Sequence, residues 1–193
     1  MTTALPDQLK IALKEWAVVC DALETGNQII LLRKGGIYEA SGEFELENPQ
    51  FILFPTYLHQ NAGMLKPALR DSPKPVTTEP DKIELRTAGA VTNIIQLNDR
   101  KQIDAIDDEH VWATPLIDMR FNYKPQNPLY LMIVRAFRLP KPIIVANTPA
   151  YAGCKSWLPL DESISLAGLA PALDDAAFEA RRNSILHRLS PGA

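Results

Sequence analysis

Gln28-Ile29-Ile30-Leu31-Leu32-Arg33-Lys34-Gly35-Gly36 decides how this chain reads. Its run of apolar residues predicts a strand over 28–33 that is buried on both faces. The run stops at two cations and two glycines. A rigid strand that delivers positive charge into a glycine-permissive turn can build an anion site from side-chain charge and turn amides. Arg33, Lys34, Gly35 and Gly36 are therefore candidate phosphate contacts. The stretch is not a Walker loop, because the glycine spacing and the following Lys-Ser/Thr are absent.

Outward from this strand, helices are expected at the two ends and strands between them. Leu9, Leu13, Trp16, Cys20 and Leu23 recur at three- and four-residue intervals, predicting a helix over 8–24 with Asp7 as N-cap and Gly26 as stop. Phe178, Ile185 and Leu189 predict a closing helix over 172–189. Between them, strands are expected at 44–46, 51–54, 82–87, 91–97, 129–139 and 143–146. A turn is expected at 35–43, a short helix within 56–69, a Pro-rich connector at 72–80 and a solvated helix at 99–109. This order lacks βαβα alternation. It predicts an α+β fold with a mainly antiparallel, barrel-like mixed sheet flanked by an N-terminal and a C-terminal helix.

The 193 residues suit one domain, with a core over about 8–160 and a C-terminal helical appendage over about 165–190. Hydrophobic residues make up 46% and charged residues 22%, a balance that argues against disorder. No apolar run is long enough to span a membrane, and no secretory signal is read at the N-terminus. Cys20 and Cys154 lack metal-ligand spacing and are expected as free thiols of a cytoplasmic protein. No cofactor motif is read.

The net charge of −3 argues against nucleic acid, but the distribution argues for it. No acidic residue lies between Asp118 and Asp161, an interval that holds Arg120, Lys124, Arg135, Arg138, Lys141 and Lys155. Such segregation can build a positive face on an acidic protein, or leave cations scattered around a rim. Thr56, Tyr57, His59 and Gln60 follow the buried strand 51–54, where a rigid element can aim a short loop. Arg120-Phe121-Asn122-Tyr123-Lys124 interleaves cations and aromatics, which suits base stacking beside phosphate, or an amphipathic strand packing its aromatics inward.

The segments Ala12-Leu13-Lys14-Glu15-Trp16, Leu31 to Ile37, Phe54-Pro55-Thr56 with His59-Gln60, and Gly153-Cys154-Lys155-Ser156-Trp157 together resemble an uncharacterised bacterial family, domain of unknown function 1802. The likeness runs from about residue 11 to residue 160. It implies no activity, although association of members with restriction-type nuclease domains points toward nucleic-acid transactions. Gly26-Asn27-Gln28 followed by Arg33 is similar to the Gly-x-Lys-x4-Arg signature of activating-signal-cointegrator homology domains, with Gln28 in place of Lys. Those are pseudouridine-synthase-like β-barrels thought to bind RNA or nucleotides.

The leading expectation is a non-catalytic module that binds RNA, DNA or a nucleotide. Arg33 and Lys34 would contact phosphate, Arg120, Lys124 and Arg135 would extend the positive surface, and Tyr57, His59 and Gln60 would line the recognition pocket. One alternative is a metal-dependent nuclease or phosphodiesterase using Glu43, Glu45 or Glu84. Another is an assembly subunit or homo-oligomer that presents Leu9, Trp16 or Phe178 to a protein partner.

Overall fold

The structure is a computed structural model describing residues 5–34, 37–40, 43–72, 76–153 and 155–190, with the backbone alone at 37–40 and 43–45. Gly35, Gly36 and Cys154 lie outside the described residues. The elements are β1 (Gln8–Trp16), α1 (Ala17–Glu24), β2 (Ile30–Arg33), β3 (Ile37–Ala40), β4 (Glu43–Leu46), β5 (Gln50–Thr56), β6 (Lys82–Leu97), α2 (Arg100–Asp104), α3 (Thr114–Asn122), β7 (Leu129–Ala146), β8 (Trp157–Ser165), β9 (Ala170–Pro171) and α4 (Asp175–Leu189). The fold is α+β. One seven-stranded, open, mixed sheet runs β2-β7-β6-β5-β1-β8, with β9 added on β7, and β3 and β4 form a separate hairpin.

Most neighbouring strands in the sheet are antiparallel, and β1 with β5 makes the parallel pair. Strand β5 explains why its sequence reads as an unbroken apolar run. Phe51 and Leu53 face one core, shared with α1, α3 and α4, while Ile52 and Phe54 face a second core under β8. Both faces are covered, so no polar alternation is left. Full burial of a side chain of this size contributes roughly 2–3 kcal/mol.

Strands β6 and β7 are long enough to serve both cores, and bulges turn them from one to the other. Leu85 pairs with Ile143 and Thr87 with Arg138, so Arg86 stands opposite four residues of β7. Those four include Pro140 and Pro142, whose missing N–H groups would otherwise interrupt the ladder. The expected break at these prolines is thus a bulge inside one strand. The expected strands at 82–87 and 91–97 are likewise continuous as β6, past Gly89. A Cβ on Gly89 would stand 2.8 Å from the Phe51 ring and 3.0 Å from Val134, so this crossing needs a residue without a side chain.

Several expectations are corrected. Residues 8–16 form a strand instead of the first half of a helix, and Asp7 caps nothing helical there. The three- and four-residue spacing arises because β1 is buried on both faces and bulged between Leu9 and Ile11, which removes the period-two pattern. The helix that remains ends as expected at Gly26, whose φ of +73° suits glycine. Residues 120–122 close α3, a helix opened by Pro115 near its start, so they are not strand. Pro55 lies within β5 and does not end it, the expected turn at 35–43 contains β3, and β8 was not anticipated.

The closing helix α4 has Asp174 as N-cap, its carboxylate accepting from Ala177 N at 2.7 Å. Phe178, Ile185 and Leu189 join the principal core. Leu9 is also buried and Trp16 is half-buried, so the apolar patch required of an assembly subunit at these positions is absent.

Candidate functional site: a cation-lined cleft

Because β1 and β5 are parallel, their C-terminal ends lie together, with Glu15 opposite Pro55 and Trp16 opposite Thr56. Arg33 reaches the same end of the sheet from β2. A cleft of about 740 Å³ opens there. Lys14, Glu15 and Trp16 from β1, Arg33 from β2 and Phe54 and Thr56 from β5 line it. Its other walls are Leu58 and His59, Glu79, Arg120 at the end of α3, Asn147 to Pro149, Tyr151 to Gly153, and Lys155 with Ser156.

The floor of the cleft is an ion pair. Arg33 donates from a terminal nitrogen to Glu15 Oε2 at 2.9 Å and to the Lys14 carbonyl at 3.1 Å. Glu15 Oε1 accepts from Trp16 N at 2.9 Å, and Thr56 Oγ1 donates to the Glu15 carbonyl at 3.1 Å. Glu15 and Arg33 are 7% and 8% exposed, which is deep enough for each charge to depend on the other. Burial pulls the guanidinium of Arg33 below its ordinary pKa; Glu15 opposes that shift and the nearby Arg120 adds to it. Arg33 and Arg120, 87 positions apart in sequence, therefore share one site.

Further charge surrounds this pair. Lys14 donates to the carbonyls of Tyr151 and Gly153, holding the 149–153 segment against the rim, and its ammonium lies 5.9 Å from the Phe54 ring. The Glu79 carboxylate accepts from the backbone N–H groups of Tyr57 and Leu58 at 2.9–3.0 Å. Among the described residues, His59, Arg120 and Lys155 make no side-chain hydrogen bond or ion pair. Three buried atoms of residues that line the cleft have no partner among the described residues: Arg33 Nε, Arg120 Nε and Thr148 Oγ1. Unsatisfied buried polar groups are uncommon in folded proteins, and a polar ligand is one way to satisfy them.

The remaining candidates have other positions. Lys34 Nζ donates to the carbonyls of Phe121 at 3.0 Å and Lys124 at 3.3 Å, so it caps the C-terminus of α3 and holds the helix that carries Arg120. Gln60 Oε1 accepts from Val18 N at 2.9 Å at the start of α1. Lys124 stacks its ammonium 5.3 Å from the Tyr123 ring. Arg135 pairs with Asp175 and lies 5.4 Å from both Phe137 and Phe178, so it fastens α4 and stands apart from the cleft lining. Gly35 and Gly36 lie outside the described residues.

Tyr57 borders a different hollow of about 370 Å³ with Asp21, Glu24, Glu84 and Arg86. Desolvation raises the pKa of Asp21, Glu24 and Tyr57 there. Glu84 is taken up by Arg86, at 2.5 Å and 3.1 Å. Among the described residues no three His, Cys, Asp or Glu side chains converge on a metal position. The Glu43 and Glu45 side chains lie outside the described residues. Cys20 is buried and burial pushes its thiol well up, which makes it a poor nucleophile.

Sequence reasoning missed Lys14, Glu15, Glu79, Asn147 and Thr148 as cleft residues. For Lys14 and Glu15 a signal existed, since they belong to the Ala12–Trp16 segment that carries the family resemblance.

Fold and cleft together define an α+β module with a cation-lined cleft at the shared end of two parallel strands. The chain belongs to the family described as domain of unknown function 1802, which it matches over residues 12–184. No curated protein sequence matches it. Among solved structures, the crystal structure of a mutant ZmASCH protein from Zymomonas mobilis is similar at a TM-score of 0.44 and 12% identity. That similarity covers 94% of this chain and 99% of the other. Among the described residues no helix is long and apolar enough to cross a membrane.

Proposed function

We propose that this protein is a non-catalytic, cytoplasmic module that binds a nucleic acid or nucleotide by its phosphate in the Arg33–Arg120 cleft. The observation that carries this reading is the meeting of these two arginines in one cleft, each with a buried Nε that has no partner among the described residues. Arginine offers a planar fork of donors that matches phosphate oxygens. Arg33 is already oriented by Glu15, so little side-chain entropy is lost when an anion arrives. Arg120 has no carboxylate partner among the described residues and supplies the uncompensated charge. Trp16, Phe54 and Tyr151 give the cleft apolar walls suited to a base or sugar.

The test is binding of a labelled mixed-sequence single strand, as RNA and as DNA, across a series of salt concentrations. Binding should weaken as salt rises, with a logarithmic slope of about −0.7 for each phosphate neutralised on a single strand. Absence of binding to both strands at low salt would remove this reading.

A further inference from the structure

We infer that Lys34 is a positioning residue for ligand binding: from outside the cleft it holds the end of α3 so that Arg120 stays beside Arg33. This inference rests on the phosphate-binding reading above and deepens it. Consecutive residues at the end of β2 take different roles. Arg33, whose backbone pairs with Tyr130 of β7, reaches the floor of the cleft. Lys34 is not among the cleft-lining residues, and its ammonium donates to the carbonyls of Phe121 at 3.0 Å and Lys124 at 3.3 Å. The backbone of β2 thereby ties the position of one arginine to that of the other.

The end of α3 needs such a tie. Between Ile117 and Leu129 no residue is buried, and of these residues Phe121 packs in part against the core. Where apolar packing is thin, polar ties carry a larger share of local order. The Phe121 carbonyl belongs to the last turn, which lacks intrahelical donors, and an ammonium there meets the negative end of the helix. Lys124 has a φ of +44°, the one positive value of a residue other than glycine among the described residues. Such a conformation persists when its surroundings hold it. Its carbonyl is held twice, by Lys34 and by Asn127 N at 2.9 Å. The tie also works against a repulsion. Burial lowers the Arg33 pKa, Glu15 opposes this and Arg120 adds to it, so the two guanidinium groups repel each other. An untied helix end would let Arg120 move away from Arg33 before any anion arrives.

The experiment compares Lys34→Met, which keeps an unbranched side chain without the charge, with Lys34→Arg, which keeps donors. In the free protein, amide hydrogen exchange at Tyr123, bonded to the Met119 carbonyl at 2.9 Å, should quicken in Lys34→Met and stay near wild type in Lys34→Arg. Amides of β1 and β5 should stay protected in both. For a labelled single strand at low salt, Lys34→Met should bind at least about threefold more weakly, within the range of couplings inside one bonded network. Lys34→Arg should bind near wild type. The double variant Lys34→Met, Arg120→Ala should bind no more weakly than Arg120→Ala, because Lys34 acts through Arg120. A double variant weaker than Arg120→Ala would make Lys34 a contact in its own right, overturning the inference and leaving the phosphate reading standing. Unchanged exchange at Tyr123, unchanged affinity of Lys34→Met, or exchange that quickens equally across the sheet would overturn it too. No binding by wild type would overturn both.

Discussion

Glu15 and Arg33 stand 2.9 Å apart at the floor of the cleft, each at least nine-tenths buried, one at the end of β1 and the other at the end of β2. The pair is both a structural tie and the base of the candidate site. Removing one partner leaves the other charge buried and alone, at a cost of about 3–5 kcal/mol. Arg33→Ala and Glu15→Ala should each lose stability on that scale in urea titration, and the double variant should lose less than their sum. Strict additivity would show that the two charges do not depend on each other.

Arg120 behaves differently because it has no carboxylate partner among the described residues. Arg120→Ala should leave stability within about 0.5 kcal/mol of wild type, the usual range for substitutions outside buried networks. Urea midpoints of the two proteins check this. A large loss would mean that Arg120 holds the end of α3 in place.

His110 gives the fold a pH dependence. It is buried against Trp112, with ring centroids 5.3 Å apart, and its pKa is lowered from the ordinary 6.5 to about 4, chiefly by desolvation. Between those values the unfolded chain takes up a proton that the folded chain does not. Stability is therefore fully present above about pH 6.5 and is lost as pH falls toward 4, by up to about 3 kcal/mol at 1.36 kcal/mol per unit. His110→Gln should flatten that portion of a stability–pH curve. An unchanged slope would assign it to other groups.

Gly89 tests the crossing of β6 over β5. A methyl there would press on Phe51 at 2.8 Å and Val134 at 3.0 Å, and overpacking of this kind costs about 1–3 kcal/mol. Gly89→Ala should lower the thermal midpoint, and adding Phe51→Leu should recover part of the loss by making room.

Much of this fold is legible in the chain, and the failures share a cause. Residues 51–54 and 30–33 read as strands because strands covered on both faces are apolar throughout. Residues 8–16 misread because the same two-sided burial, with one bulge, spaces Leu9, Leu13 and Trp16 as a helix would. Arg33 was visible in the site because it ends an unmistakable strand. Lys14 and Glu15 were hidden because they sat in the wrong element. Asn147 and Thr148 were hidden because they follow β7, which the prolines had divided. Lys34 and Gln60 were read as ligand contacts; Lys34 Nζ bonds carbonyls at the C-terminus of α3, and Gln60 Oε1 accepts from Val18 N at the start of α1. Sequence shows which residues carry polar chemistry; it does not show which of them the backbone has already engaged.

The most direct test of the central claim is the affinity of Arg120→Ala for a labelled single strand at low salt, beside wild type and Lys101→Ala. Lys101 is an exposed cation on α2 outside the cleft, so its removal controls for net charge. The expected result is at least a tenfold loss of affinity for Arg120→Ala, about 1.4 kcal/mol, with Lys101→Ala close to wild type. Equal affinities in all three proteins would place the bound phosphate elsewhere and contradict the cleft as the binding site.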